Sequence, residues 1–227
     1  MNKIFNLFVL FSFFSIQAQI HEVGAFVGLS NYVGDVGPTN YIHPKESALG
    51  ILYKWNKSPR HSYRISYTQT NLSADDLLSK EESRFQRAYS FTNSVKELSF
   101  GLEFNFFDFN LHKPETKVTP YLFSGISLFK YDELYIDSGG QTFKEKNKNT
   151  VALPLNFGIK SNINSYLVLG LEIGARFTLT DNIDGSNPKN ENFKTYRFGN
   201  LNNNDVYLLT GLTLTYTFGE TPCYCAE

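Results

Sequence analysis

The sequence of 227 residues is poor in cysteine, methionine and tryptophan, and beyond its first residues it has no long apolar run. Because no later stretch is long enough for a helix to cross a bilayer, a helical membrane protein is excluded. Lysine and arginine number 21 against 22 acidic residues, without a concentrated basic run, so we expect no nucleic-acid partner. The length, with 41% hydrophobic and 16% aromatic residues, suits one compact domain.

The start of the chain has the composition of a targeting segment. Lys3 supplies a positive charge, residues 4–16 form an apolar core too short to span a membrane, and residues 17–19 suit cleavage. We therefore predict a signal peptide at residues 1–19. No cysteine follows that point directly, so we expect no lipid anchor on the mature chain.

Apolar and polar residues alternate with period two, which places alternate side chains on opposite faces of a sheet. Four segments show this clearly and four show it more weakly. The clear segments are residues 95–106, 151–160, 167–178 and 206–218, and the weaker ones are residues 20–32, 47–56, 62–71 and 120–131. Both faces of residues 121–129 carry apolar side chains, so the pattern leaves their orientation open.

Short and long polar breaks alternate between these segments. The short breaks are residues 57–60, 109–118 and 161–164, and the long ones are residues 33–45, 72–90, 132–150 and 181–204. Tight turns on one side and long loops on the other are typical of membrane barrels. We predict an all-β fold: an eight-stranded antiparallel transmembrane β-barrel of the outer membrane at residues 20–218, with a periplasmic tail at residues 219–227.

A soluble β-sandwich is the alternative, because its strands alternate in the same way. The unequal loops and the signal segment favour the barrel. Aromatic residues near the predicted strand ends also suit a lipid headgroup layer. They are Tyr53, Trp55, Tyr63, Phe104, Phe106, Tyr166, Tyr216 and Phe218.

The alternation predicts a charged barrel interior with balanced signs. The residues expected to face inward are Glu22, Lys54, Arg64, Glu97, Glu103, Lys160, Glu172 and Arg176. About eight strands enclose a space that side chains fill, so we expect no open pore. An isolated charge there would cost several kcal/mol, which favours a paired polar core with trapped water. A proton or ion path is the alternative.

Catalysis finds little support in the residue pattern, and we predict no enzyme activity, no cofactor and no metal site. An acyl-transfer or hydrolytic site needs a nucleophile, a base and an orienting group within hydrogen-bond reach. The histidines His21, His43, His61 and His112 suit solvated positions without such partners. Residues 181–184 carry two aspartates, but residues 185–188 complete ordinary turn chemistry and lack calcium-loop spacing. An envelope-lipid hydrolase would need a nucleophile, for which the sequence offers no candidate.

The predicted tail holds both cysteines of the chain, Cys223 and Cys225. An exported protein seldom keeps free thiols in an oxidising compartment. A bridge between residues so close in sequence would strain a very small loop, so an intermolecular disulfide with a partner chain is favoured. A strained or redox-labile local bridge and an inert or metal-binding role remain open.

An ordered set of short motifs gives the chain a family resemblance. The motifs are His21-Glu22-Val23-Gly24, residues 31–35, residues 97–99 with 103–107, residues 119–125, 153–154 with 158–160, 170–174 with Arg176, residues 205–208 and the cysteine-containing tail. In this order the chain resembles the PorG-type outer-membrane component of the type IX secretion system. It departs from that family after Thr180, where a tyrosine- and aspartate-rich loop is replaced by Asp181-Asn182-Ile183-Asp184-Gly185.

The resemblance implies a non-enzymatic structural role in protein secretion and gliding motility. The barrel would sit among outer-membrane lipids and contact a periplasmic ring built from a lipoprotein and its soluble partner. Cys223 and Cys225 would then lie where they contact or tether that ring. The alternative is a generic small outer-membrane barrel that binds ligands or surfaces through its long outer loops, since fold alone does not fix function.

Overall fold

A computed structural model of the chain describes residues 20–40, 43–111 and 116–219. Within these residues the chain forms eight strands, one short α-helix and two 3₁₀ turns. The strands are β1 (Ile20–Val33), β2 (Glu46–Asn56), β3 (His61–Asp75), β4 (Ser90–Asn105), β5 (Val118–Ile136), β6 (Thr142–Asn162), β7 (Leu167–Thr178) and β8 (Val206–Phe218). The helix α1 is Glu82–Arg87, and the 3₁₀ turns are Asp76–Leu78 and Glu191–Tyr196. The predicted signal peptide and both cysteines lie outside the described residues.

The strands form one closed antiparallel barrel in which each strand pairs with its neighbours in sequence. Closure is made by β1 and β8, which pair from His21 opposite Phe218 to Val33 opposite Val206. A closed sheet leaves no unpaired edge, which is the condition for a β-structure to cross a bilayer. The predicted eight-stranded antiparallel barrel is therefore confirmed.

The outward face of the barrel is apolar. Ile51, Tyr67, Leu98 and Leu128 are cross-strand neighbours on four successive strands, and Ile51 is 65% exposed. Apolar side chains at such exposure would make a water-soluble surface prone to association, whereas a bilayer covers them. The fold is thus a transmembrane barrel of the outer-membrane type. None of the helices formed by the described residues is long and apolar enough to cross a membrane.

Aromatic rings gather at the rim with the short connections. Trp55 and Tyr63 lie side by side with ring centroids 5.5 Å apart, and Tyr166 stacks on Tyr216 at 6.1 Å. His21 stacks on Phe218 at 5.6 Å. Rings with a polar edge suit the headgroup layer, so these residues mark one membrane boundary.

Strand β5 has a defined orientation that the sequence pattern leaves open. Tyr121, Phe123 and Phe129 are buried inside the barrel, whereas Ile126 and Leu128 are each 57% exposed on the outside. The inner face is apolar here because these rings fill the barrel interior. Alternation is invisible when an aromatic core lies on one side and lipid on the other.

The prediction of a long loop at residues 132–150 is wrong. Strands β5 and β6 extend to Ile136 and Thr142 and leave only residues 137–141 as a turn. Gly140 has a φ of +77°, and its N–H donates to the Asp137 carbonyl at 3.0 Å. The β6 part of this extension is mostly polar on both faces, and in the β5 part a register shift between Glu133 and Leu134 interrupts the alternation. The predicted loop at residues 72–90 likewise shrinks to residues 76–89.

The charged interior and the cap over it

The structure places all eight charged residues proposed for the interior inside the barrel, each with 4% or less of its surface exposed. They come from six of the eight described strands and meet across the lumen. These residues are Glu22, Lys54, Arg64, Glu97, Glu103, Lys160, Glu172 and Arg176. Four carboxylates and four cations make the set neutral in total.

Glu103 is the centre of the group nearest the short connections. Its carboxylate accepts hydrogen bonds from Lys54 Nζ at 2.8 Å and Lys160 Nζ at 2.6 Å, and Arg64 Nη1 lies 3.6 Å away. Both lysine ammonium groups also lie 5.4 Å from the centre of the Tyr121 ring. One carboxylate therefore balances several buried cations, with help from an aromatic face.

Glu22 lies in the same half of the barrel and is held by neutral donors. Its two carboxylate oxygens accept hydrogen bonds from Asn56 Nδ2 at 2.9 Å and Thr215 Oγ1 at 2.6 Å.

The next layer is an arginine–carboxylate pair with two parallel hydrogen bonds. Arg64 donates to the two carboxylate oxygens of Glu172 at 2.7 and 3.0 Å. Tyr121 Oη and Asn156 Nδ2 also donate to Glu172, at 2.7 and 3.2 Å. This two-point geometry is the strong form of a buried ion pair because it satisfies both oxygens.

Arg176 and Glu97 form the third layer, where Arg176 Nε lies 3.2 Å from Glu97 Oε2. The hydroxyl groups of Tyr207 and Ser99 donate to the same carboxylate. Arg176 also donates to Asn156 Oδ1 at 2.9 Å, which links this layer to the one below. The network thus continues across three layers without an isolated charge.

A glycine makes room for this link. A Cβ atom at Gly174 would lie 2.1 Å from Asn156 Oδ1 and 2.4 Å from an Arg176 nitrogen. The absent side chain lets two larger polar side chains meet at an inward-facing position. The sequence shows the glycine but not the contact that requires it.

Above the network, toward the long connections, the interior becomes aromatic and apolar. Phe26, Tyr32, Phe129 and Tyr207 belong to one buried cluster there. Phe109, in the connection between β4 and β5, lies at the opposite mouth and is 5% exposed. The centre of its ring lies 4.9 Å from Lys160 Nζ. Side chains therefore occupy the lumen from one mouth toward the other.

Residues 180–188 fold into the mouth at the long connections, and we call this segment the cap. Every residue of the cap is buried. Ile183 is fully buried in the apolar cluster, and its carbonyl accepts from Asn93 Nδ2 at 2.7 Å. Its N–H donates to Asp205 at 2.8 Å, and Tyr32 Oη donates to the same carboxylate.

The turn chemistry expected in the cap is present, since Asp184 Oδ1 accepts from Ser186 N at 2.9 Å and Gly185 has a φ of +86°. The sequence pattern does not show that this turn lies inside the barrel. Asp184 Oδ2 also accepts from the N–H groups of Asp35 and Val36 at 3.2 Å. Asp35 and Val36 lie 149 and 148 residues before Asp184 in the sequence. An apolar isoleucine within a polar loop is the single local signal of burial.

Two loops are joined around Asp76, which is fully buried. Its carboxylate accepts from Gly37 N at 2.8 Å, Tyr89 N at 3.1 Å and Arg87 Nε at 2.8 Å. Arg87 also donates to the Asp35 carbonyl at 2.7 Å. The loop that contains α1 therefore holds the β1–β2 loop, which in turn contacts the cap.

Three carboxyl groups at the cap and beside it have raised pKa values. Burial raises the pKa of Asp181 to about 6, and nearby Asp35 and Asp184 add to the rise. Burial also raises the pKa of Asp35, and it raises the pKa of Asp205 strongly. Asp35 Oδ2 and Asp181 Oδ1 have no hydrogen-bond partner among the described residues. Within those residues, no three His, Cys, Asp or Glu side chains are grouped so as to hold a metal ion.

The histidines lie apart from the interior. His21 bonds to Tyr53 Oη at 2.7 Å, His61 lies 3.2 Å from Ser58 Oγ, and His43 is exposed. His112, Cys223 and Cys225 fall outside the described residues.

Several solved outer-membrane proteins match this chain at low sequence identity and with TM-scores below 0.5. Ail of Yersinia pestis is 12% identical, with 88% of this chain and 99% of that chain covered and a TM-score of 0.45. Neisserial surface protein A is 12% identical (88% and 97% covered, TM-score 0.48), and OprG of Pseudomonas aeruginosa is 10% identical (89% and 97% covered, TM-score 0.48). The barrel assignment rests on the strand pairing of this chain itself.

No curated protein sequence matches the chain. A family model does match it, over residues 2–227, and is described as a domain of unknown function, DUF6089. The match covers nearly the whole sequence, and the chain therefore belongs to the DUF6089 family.

Proposed function

We propose that this chain is a non-enzymatic structural barrel of the type IX protein secretion and gliding motility machinery, located in the outer membrane. It would anchor the periplasmic ring, built from a lipoprotein and its soluble partner, to that membrane. One observation carries the structural part: ion-paired side chains fill the lumen and the cap closes the long-loop mouth. Anchoring would then depend on the outer surfaces of the barrel, and the protein would not act as a channel.

The assignment to secretion rests on the resemblance to the PorG-type component. Several of its motif residues lie in the interior network, including Glu22, Glu103 and Lys160. Such a network favours one rigid arrangement of strands, because each charge is satisfied only in register. Rigidity is the property that a membrane anchor for a large assembly requires.

The short-connection rim is the proposed contact surface. Strand β8 ends there at Phe218, beside His21 of β1. Residues 219–227 continue from this rim, which faces the periplasm if the long loops face outward. In this proposal Cys223 and Cys225 contact the ring or form a disulfide with its lipoprotein.

The role in secretion is tested with a deletion strain. We expect the strain to retain secreted cargo in the periplasm while the uptake of small hydrophilic solutes is unchanged. Complementation with the native gene should restore secretion. Normal secretion and gliding in the deletion strain would overturn the proposal. The alternative function, binding of ligands or surfaces through the long outer loops, would then be favoured.

The contact through the tail is tested on non-reducing gels of envelope extracts. We expect a reducible adduct that contains the ring lipoprotein, identified by mass spectrometry, and its loss in Cys223→Ser or Cys225→Ser. Ser165→Ala, at the same rim, is the matched control and should leave the adduct unchanged. A monomer unaffected by either cysteine substitution would remove the disulfide from the proposal.

A further inference from the structure

Two lysines face outward at the long-loop end of the apolar belt. Lys96 on β4 lies directly opposite Lys130 on β5. One step nearer the centre of the barrel wall, on the same face, Leu98 lies opposite Leu128, and these side chains are 45% and 57% exposed. The lysine pair therefore stands where the lipid-facing surface ends.

The pair lacks a counter-charge within the protein. Among residues 20–40, 43–111 and 116–219, neither Lys96 nor Lys130 has an ion-pair or hydrogen-bond partner, whereas the adjacent Lys144 is bound to Asp132 at 2.8 Å. Like charges directly opposite each other on a sheet are destabilising. An anion between the two ammonium groups would remove that repulsion.

A small cleft of about 220 Å³ lies at this pair. Its lining consists of charged, hydroxyl and amide side chains: Ser94, Lys96, Lys130, Asp132, Lys144 and Asn147. Three cations against one carboxylate give the cleft a net positive charge. Ammonium, hydroxyl and amide groups are hydrogen-bond donors that suit a phosphate group.

An apolar groove of about 250 Å³ begins beside the cleft. It crosses the outward faces of the first four strands and is lined by Val23, Ile51, Leu52, Tyr53, Ile65, Ser66, Tyr67 and Leu98. Leu98 lies two residues from Lys96 on the same face, a separation of about 7 Å along a strand. A phosphate at the lysines would thus have a hydrocarbon chain within reach of the groove.

We propose that Lys96 and Lys130, with Lys144 and Ser94, bind the phosphate of a phosphorylated membrane lipid whose acyl chain lies in the groove at Leu98. Free phosphate would use the cleft but not the groove, so the adjoining groove favours a lipid. With the long loops outside, the ligand belongs to the outer leaflet, and a phosphorylated glycolipid of the lipid A type fits it. This site is independent of the proposed role in secretion.

The test uses the full chain, folded in a neutral detergent and examined by native mass spectrometry. The probes are lipid A with its phosphates, dephosphorylated lipid A and inorganic phosphate. The variant K96Q/K130Q is compared with K57Q/K117Q, which removes two lysines from the opposite rim. Heat-dependent gel mobility confirms that each variant is folded.

We expect phosphorylated lipid A to bind the native chain and K57Q/K117Q with equal affinity. It should bind K96Q/K130Q roughly tenfold or more weakly, because each lysine near an anionic headgroup raises the affinity several-fold. Dephosphorylated lipid A should bind the native chain as weakly as phosphorylated lipid A binds K96Q/K130Q. Equal binding of the two lipids would overturn the proposal, as would equal loss in both double variants. Equally tight binding of inorganic phosphate would overturn the choice of a lipid.

Discussion

At the scale of single residues, Glu103 shows why a charge inside this barrel is tolerated. The fully buried carboxylate bonds to Lys54 and Lys160 and lies near Arg64. Removing it leaves buried cations facing one another without compensation. We expect Glu103→Gln to lower the free energy of unfolding by about 3–5 kcal/mol, measured by urea titration in lipid vesicles.

The matched control is a carboxylate in an exposed pair. Asp108 bonds to Arg60 Nε at 2.5 Å, but its side chain is 68% exposed. Water already solvates both partners, so Asp108→Asn should cost less than about 1 kcal/mol. Equal destabilisation by the two substitutions would contradict the view that the interior network stabilises the fold.

At the scale of elements, Asp76 holds the loop that contains α1 against the β1–β2 loop. Its carboxylate accepts from the N–H groups of Gly37 and Tyr89, so Asp76→Ala should release residues 34–45 and 76–89 without opening the barrel. We expect rapid cleavage of these loops by an external protease in reconstituted vesicles. Asp75→Ala is the control, because Asp75 bonds to Leu77 N within its own turn. Protected loops in Asp76→Ala would show that other contacts suffice.

The cap should open more easily as the pH rises. The carboxyl group of Asp181 has a pKa of about 6 when the cap is closed, against about 3.9 for a solvated aspartate. Between these values the closed cap binds more protons than the open one, so the contribution of Asp181 to the stability of the cap falls from pH 4 to pH 6 and then levels off. Hydrogen exchange of the Ser186 and Asn187 amides, corrected for the intrinsic rate, measures this. Asp181→Asn should flatten the dependence, and an unchanged slope would assign it to other groups.

The strands also differ in how well the sequence predicts them. Strands β4, β6, β7 and β8 are evident from alternation, because lipid on one side and a polar lumen on the other impose opposite chemistry on successive residues. The same alternation predicts an inward Glu97 and Arg176, and the structure places both inside. It fails in the mostly polar outer half of β6, at the register shift between Glu133 and Leu134 of β5, and along the aromatic inner face of β5.

The burial of the cap is not predictable from the sequence for a different reason. Its burial depends on hydrogen bonds between Asp184 and the N–H groups of Asp35 and Val36, and between Asp205 and Ile183. Contacts across such sequence distances leave no periodic signal. The aspartates in the cap therefore look like those of a solvated turn until the barrel brings the loops together.

At the scale of the whole molecule, three successive barriers lie along the lumen. Phe109 covers the short-connection mouth, the charged layers follow, and the aromatic layer with the cap closes the other end. An eight-stranded barrel has an interior only wide enough for side chains, so these groups leave no aqueous route of solute size through the part of the chain that the structure describes. We expect liposomes that contain the protein to swell in arabinose no faster than empty liposomes.

Removing the cap alone should not change this result. If residues 181–187 are replaced by a glycine–serine linker of equal length, the Arg64–Glu172 and Arg176–Glu97 pairs still cross the lumen. Swelling should therefore stay at the level of empty liposomes, with an open porin as the positive control and gel mobility as the check on folding. Sugar uptake through the cap variant would mean that the charged layers part readily. The protein would then be a gated channel rather than a filled and rigid barrel.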